Sequence, residues 1–269
     1  MEYKKTSSTD LILLAYQKHN DETYWSIIQE LHIRGSQQEF DLAQQLTLSN
    51  DPISREIGAD ILGQLGLSLG HFHEKSVEIL IHLLSDPSDD VIASSAFSLG
   101  HRTDIKTIPT LIKLVPHTNP RIRYAVAFGL SCLEDIDAIR GLIVLSYDQD
   151  EDTRNWATFG LGSQCEMDLP EIRKALLDRI TDPIPEIRGE AMIGLAERHD
   201  ERILPFVQQE LEGEFHGSWA IKASALLASP QLCPSLQRLK PSFDPELDSY
   251  FILEIDDAIL TCCSTNTKE

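Results

Sequence analysis

The sequence predicts an all-α fold, a right-handed α-solenoid of about six helix-pair repeats closed by a cap at each end. Three observations carry this. A nine-residue segment, Arg123–Ser131 (RYAVAFGLS), recurs as Ile92–Gly100, Arg154–Gly162 and Arg188–Ala196, with looser copies at Arg55–Gly63 and Ala220–Ala228. The copies begin at 55, 92, 123, 154, 188 and 220, so the unit is about 31 residues long, a period at which single repeats bury their apolar faces only by stacking on neighbours. Between copies runs a second helical pattern with Leu, Ile or Val at three- and four-residue steps, and a turn of Asp or Asn with Pro precedes most copies.

Taken in order, residues 10–19, 22–32 and 38–48 read as helices of weaker repeat character, broken at Gly35. The first helices of the regular pairs are expected at 75–84, 106–115, 135–145, 170–180 and 202–211; the second helices contain the recurring segment. Turns at Asn50–Pro52, Asp86–Pro87, Asn119–Pro120, Asp148–Asp152 and Asp182–Pro185 supply a side chain to cap the second helix and, in all but Asp148–Asp152, a proline, which the first turn of a helix tolerates. The longest linker, residues 67–74, explains the wide first interval. The expected organisation is residues 1–35 as N-terminal cap, 36–230 as repeat array and 231–269 as an acidic C-terminal cap with a tail disordered from about Thr261.

On a 3.6-residue wheel, with the Arg position as zero, offsets −1, +2, +3, +6 and +7 form an apolar side, Ile122, Ala125, Val126, Gly129 and Leu130 in the third copy. Offsets +1, +4, +5 and +8 lie opposite and are expected to line the concave face: Tyr124, Ala127, Phe128 and Ser131, then Asn155, Thr158, Phe159 and Gly162.

Acidic residues number 43 against 23 Lys and Arg, a formal charge of −20. Such a field repels nucleic acid and anionic membrane and favours a basic protein or peptide, or serves solubility alone. The first residues hold no apolar run of signal-peptide length and no window reaches the ~18 apolar residues of a membrane span, so a cytoplasmic protein without membrane contact is expected. The five cysteines, without C-x-x-C spacing, read as reduced thiols, with the adjacent Cys262 and Cys263 in a mobile tail.

These units resemble HEAT repeats of the short bacterial type named after phycobilisome lyases. Asp182, Pro183, Ile187, Arg188, Ala191 and Leu195 fit that pattern, which covers about residues 36–230; Gly58–Gly66 and Trp156–Gly162 extend the likeness to stand-alone bacterial HEAT-repeat proteins. Some relatives of that kind are encoded beside secreted toxins. Ile92 and Ala220 replace the arginine in two copies, which confines a continuous Arg–Asp ladder to Arg123, Arg154 and Arg188.

Candidate partner-binding residues follow from the wheel. Phe97, Phe128 and Phe159 share offset +5 in three successive copies, and either form an exposed aromatic ladder or pack sideways between second helices. Tyr124 and Asn155, at +1, face outward more squarely, and Ile193 continues the +5 series. Asp86, Asp89, Asp90, Asp148, Asp150, Glu151 and Asp152 are expected to form an acidic rim. The run from Asp148 imitates an EF-hand loop but has Thr153 where glycine and Phe159 where glutamate belong. His71 and His73 lack the ligands of a metal site, and neither metal nor cofactor is expected. HEAT-type hydroxylases set His-Glu pairs on their second helices, whereas the one pair here, His73–Glu74, lies outside them; P-loop and G-x-S-x-G motifs are missing. The function expected is non-catalytic protein binding on the concave face, in its most specific form an immunity or antitoxin-like protein for a basic toxin. The resemblance leaves one alternative, a bilin-lyase-like chaperone or transferase for an apolar chromophore.

Overall fold

The structure is a computed structural model and describes residues 3–19, 21–67, 70–213, 218–244 and 248–264. Among these, all regular structure is helical, and the chain has the HEAT-solenoid fold class, with helix pairs stacked side by side. By its internal contacts it divides into two units, residues 1–145 and 146–269.

The N-terminal unit contains α1 (Ser8–Gln17), α2 (Tyr24–Arg34), α3 (Gln37–Thr47), α4 (Pro52–Gln64), α5 (His73–Leu83), α6 (Asp89–Arg102), α7 (Ile108–Leu114), α8 (Pro120–Ser131) and α9 (Ile136–Leu145). Second helices α4, α6 and α8 lie against one another in one layer, with α2 packed on α4; α3, α5, α7 and α9 pack behind them. Helices α1 and α2 also pack on each other as a pair. The C-terminal unit contains α10 (Glu151–Gly162), α11 (Pro170–Arg179), α12 (Pro185–Glu197), α13 (Leu204–Leu211), α14 (Ser218–Leu227), α15 (Cys233–Leu239) and α16 (Ser249–Cys263). There α10, α12, α14 and α16 form the second-helix layer.

The apolar side of the wheel is buried as expected, Ile122, Ala125, Val126 and Leu130 completely, and Leu161 likewise. Offsets +4 and +8 are not on the open face: Ala96, Ala127 and Thr158 are fully buried and Ser131 nearly so. Within each unit the second helices pack side by side, α4 on α6 and α6 on α8 in one, α10 on α12 and α12 on α14 in the other, so offsets +4 and +8 are covered and the strip at +1 and +5 stays more open. Close approach makes that strip narrow; a Cβ on Gly194 of α12 would lie 2.4 Å from the Gly162 Cα of α10.

The arginine at offset zero is structural. Arg154 Nε and Nη2 donate to the Asp182 carboxylate at 2.8 and 3.3 Å while Nη1 reaches the Asp148 carbonyl at 2.8 Å; Arg55 does the same to Asp86, at 2.7 and 2.8 Å, and to the Ser49 carbonyl. Arg188 takes Glu210 instead, at 2.9 Å, and Arg123 donates to the His117 carbonyl. The Arg–Asp pairs therefore extend to Arg55, which the sequence reading left out. It also follows that Asp86 and Asp182 hold arginine rather than cap helices, whereas Asp51, Asn119 and Asp150 do cap α4, α8 and α10.

Two further arginines, both at offset +10, are unexpected. Arg102 is 1% exposed and donates from Nε to the Leu62 carbonyl (3.0 Å) and from Nη2 to that of Leu65 (2.7 Å), at the C-terminal end of α4. Arg198 donates to the carbonyls of Leu161 and Gly162 at the end of α10 and of Cys165 and Met167 just beyond it. Each is followed by a residue in the left-handed region, Thr103 (φ 45°) or His199 (φ 48°), and then by an aspartate whose carboxylate accepts the amide of Lys106 or Arg202. The Arg-x-Asp elbow thus satisfies the carbonyl end of the preceding second helix and starts the next first helix.

The C-terminal end corrects the sequence reading. Cys233 of α15 and Cys263 of α16 form a disulfide, and Thr261, Cys262 and Cys263 complete α16 rather than belonging to a mobile tail. The Cys262 thiol is buried and donates to the Ser224 carbonyl at 3.1 Å. Residues 265–269, also expected to be disordered, lie outside the described residues.

Candidate functional site

In the first copy of the repeat, offsets +1 and +5 are Glu56 and Asp60, and the two carboxyls reach a cavity of about 400 Å³ in the N-terminal unit. The space is bounded by the α1–α2 connection and the start of α2 on one side and by α4, α6 and the first turn of α8 on the others. Glu56 and Asp60 are 7% and 8% exposed. His19 Nε2 stands 3.0 Å from Glu56 Oε2, and Arg121 Nη2 3.5 Å from Glu56 Oε1, while Arg121 Nη1 pairs with Asp90. Asp60 accepts from the Tyr24 hydroxyl at 2.6 Å and from Ser94 Oγ.

Burial pushes the Asp60 carboxyl up to about 6, against the pull of the Ser94 and Tyr24 donors. Burial also raises Glu56, with His19 and Arg121 opposing it. Tyr24 is driven upward by burial and by Asp60, so it remains a phenol and a donor. Three carboxyl groups thus share the cavity with one permanent cation, Arg121, and two imidazoles, His19 and His101. Aromatic surface completes the lining: Trp25, 61% exposed, stands edge-on to Tyr24 at 5.2 Å, and Phe97 comes from α6. Among the described residues no three His, Cys, Asp or Glu side chains are placed to hold a metal ion, and no helix is long and apolar enough to cross a membrane.

The residues singled out from the sequence divide between the two units. Phe97, Tyr124 and Phe128 come together in the N-terminal unit, Phe97 edge-on to Tyr124 at 5.2 Å and tilted on Phe128 at 5.6 Å. Phe128 lies sideways against α6, filling the space beside Gly100, where a Cβ would be 2.3 Å from the ring, and meeting His101 at 5.0 Å. Of the two placements open to the phenylalanines, the ring of Phe128 takes the sideways one, yet all three phenylalanines keep an edge half-buried rather than sealed. In the C-terminal unit Phe159 leans on Trp156 at 5.3 Å, Asn155 is half-buried with its Oδ1 unpaired among the described residues, and Ile193 is half-buried.

The acidic residues have unequal roles. Asp86 is held by Arg55, and hydrogen bonds from that arginine and from Ser88 lower its carboxyl against the desolvation that would raise it. Asp150 caps α10, and Asp148 accepts the amide of Asp150. Asp89 accepts from Asn119 Nδ2 at 2.9 Å, and Asp90 pairs with Arg121. Glu151 and Asp152 are exposed in the first turn of α10. The sequence reading missed Glu56 and Asp60 because it applied the +1/+5 rule only to later copies; the same rule applied at Arg55 finds both. His19, Tyr24 and Trp25 carried no such signal, since the cap repeats weakly.

Comparison with known proteins fits this geometry. The family model described as HEAT repeats matches residues 77–162. Protein YibA of Escherichia coli K12 is 31% identical over 248 residues, which cover 90% of this chain and 88% of YibA. This chain belongs to the YibA family of bacterial HEAT-repeat proteins. An X-ray structure of E. coli YibA superposes with a TM-score of 0.71 at 27% identity, over 94% of both chains. Importin beta matches with a TM-score of 0.68 at 13% identity, over 94% of this chain and 40% of that one, a likeness of fold alone. In this YibA-family chain, the second-helix strip combines aromatic edges with an acidic cavity.

Proposed function

We propose that this chain is a non-catalytic binding protein that holds a basic protein partner on the +1/+5 strip of its second helices. The observation that carries the reading is the make-up of that strip within each unit, with half-buried rings at Phe97 and Phe128 in the N-terminal unit and at Phe159 in the C-terminal unit, in a chain whose carboxyl groups exceed its basic side chains by 20. Aromatic edges supply contact area that desolvates on docking, and surplus carboxylates favour encounter with a cationic surface. Importin beta, similar in fold, is a precedent for the architecture only. The specific form of the proposal is an immunity-like protein that occludes a basic toxin.

The test is co-expression with candidate toxins encoded beside its gene, followed by binding kinetics on the purified pair. Glu151→Gln with Asp152→Asn, which touch neither the Arg pairs nor a cap side chain, should slow association severalfold at low salt and hardly at all at 0.5 M. Phe159→Ala should speed dissociation tenfold or more. Failure of every basic partner to bind, with acidic controls binding instead, overturns the reading.

A further inference from the structure

The cavity at Glu56 and Asp60 is set apart by its charge, three carboxyl groups against one guanidinium. We propose that it receives the guanidinium of an arginine side chain carried by the basic protein partner, with Glu56 and Asp90 as its carboxylate acceptors and the Trp25 and Phe97 rings as its apolar walls. This rests on the reading of the strip as the binding face and names the chemistry of one subsite within it.

Four features of the molecule converge on that ligand. The cavity, about 400 Å³, is within the range of small-ligand sites and is open at Trp25. Its carboxyl groups outnumber its permanent cations, so an anion or a nucleic-acid phosphate is repelled and a second cation is favoured. The rings that line it suit a flat, weakly hydrated cation with an apolar stem better than a compact ammonium. Most directly, the protein already places a guanidinium there. Arg121 reaches from the first turn of α8 to Glu56, two second helices away, and to Asp90, with its side chain still half exposed. Arg121 pairs closely with Asp90, but its 3.5 Å contact to Glu56 is long for a charge-assisted hydrogen bond, so Glu56 Oε1 is covered without being satisfied. It is a resident stand-in that a better-placed guanidinium can displace. Asp60, fixed by Tyr24 and Ser94, sets the negative floor of the cavity without itself having to be the acceptor.

The experiment titrates the full chain with N-acetyl-arginine methylamide, followed by two-dimensional NMR of the Trp25 indole and by calorimetry. The citrulline analogue, of the same shape and uncharged, should bind at least tenfold more weakly, and the lysine analogue about threefold more weakly. Trp25→Ala, at an exposed side chain, should weaken the arginine analogue about fivefold, and Glu56→Gln tenfold or more. Arg121→Ala should tighten it about threefold, because the resident cation no longer competes; a role for Arg121 in holding the fold together would not produce a gain. Should Glu56→Gln fail to fold by circular dichroism, the Trp25 and Arg121 variants decide alone. Equal binding of the arginine and citrulline analogues, or a loss with Arg121→Ala, overturns the proposal. Agmatine binding tenfold tighter than the arginine analogue would assign the cavity to a free small amine and overturn the partner source. A basic partner that binds Trp25→Ala and Arg121→Ala as it binds wild type sinks this subsite while leaving the wider reading intact. Binding of the arginine analogue in a chain that takes no basic protein sinks the wider reading and this arginine's source together.

Discussion

The two units use one repeat and differ where the repeat leaves freedom. Both carry the offset-zero arginine tied to an acidic residue, Arg55 to Asp86 in one and Arg154 to Asp182 in the other, and both carry an Arg-x-Asp elbow. At +1 and +5 they part: Glu56 and Asp60 border a cavity of about 400 Å³ with a surplus of carboxyl groups, while Gly189 borders a smaller one of about 210 Å³ in which Arg188 answers Glu210 and the Trp219 ring sits on Gly189, where a Cβ would be 2.3 Å away. Trp219 also donates to Glu190 at 3.4 Å, and Ser163 donates to the same carboxylate at 2.7 Å, so the acid of the C-terminal unit is tied down by neutral donors. The difference teaches that positions facing backbone carbonyls are fixed by what a helix end requires, and positions facing solvent record what the protein meets.

The largest expected effect tests the shared part. Arg102→Ala and Arg198→Ala should each cost about 4 kcal/mol, since each strips buried carbonyls of their donors, and urea unfolding should find them alike. A cost below about 1 kcal/mol in either would show that water replaces the guanidinium there and that the elbows are not equivalent. Next comes a device the N-terminal unit lacks among its described residues. Cys233→Ser should cost about 3–4 kcal/mol through the loop of 30 residues that the disulfide closes, and dithiothreitol should reproduce it in wild type. Hydrogen exchange should place the loss in the C-terminal unit, and equal loss in α4 and α6 would break the distinction.

How much of this was legible follows from which forces act locally. The period, the second helices, the buried wheel positions and the Arg154–Asp182 pair all arise within a repeat or between neighbours, and the sequence carries them. Ala127 and Thr158 were misplaced because a single-helix wheel does not include flanking helices. The Cys233–Cys263 bond depends on how α15 packs on α16, which repeat spacing does not encode. Arg102 and Arg198 were legible in principle, being the same residue at the same offset, but lie just past the segment that defines the repeat.

The core should respond evenly across the two units. Leu130→Ala and Leu161→Ala, one in each, should cost about 3 kcal/mol apiece, while Asn155→Ala should stay within about 1 kcal/mol because its buried Oδ1 makes no bond among the described residues. Thermal melts giving all three the same loss would rotate the wheel and move the strip.

The smallest effect separates the units by pH. Asp60, raised from 3.8 to about 6, binds its proton more tightly folded than unfolded, so its contribution is present below pH 4 and is lost as pH rises through 6. Asp200 of the C-terminal elbow is lowered to about 2, chiefly by hydrogen bonds from Arg202 and Arg173 against desolvation, and its contribution is present above pH 4 and lost below that. Asp60→Asn should therefore flatten the stability slope between pH 4.5 and 6.5, and Asp200→Asn should leave that window unchanged. The same slope in both variants would remove Asp60 from the account.

The elbows also set where such an array can be cut. Because Arg102 closes the carbonyl end of α4 and Arg198 that of α10, a second helix is finished by the repeat that follows it, not by its own. A fragment ending at Gln64 or Gly162 would keep its helix and lose its terminator, fraying from the last turn. Trimming or grafting at these junctions has to carry the next pair as far as its Arg-x-Asp, so the smallest transferable module here is one helix pair longer than the repeat that the sequence displays.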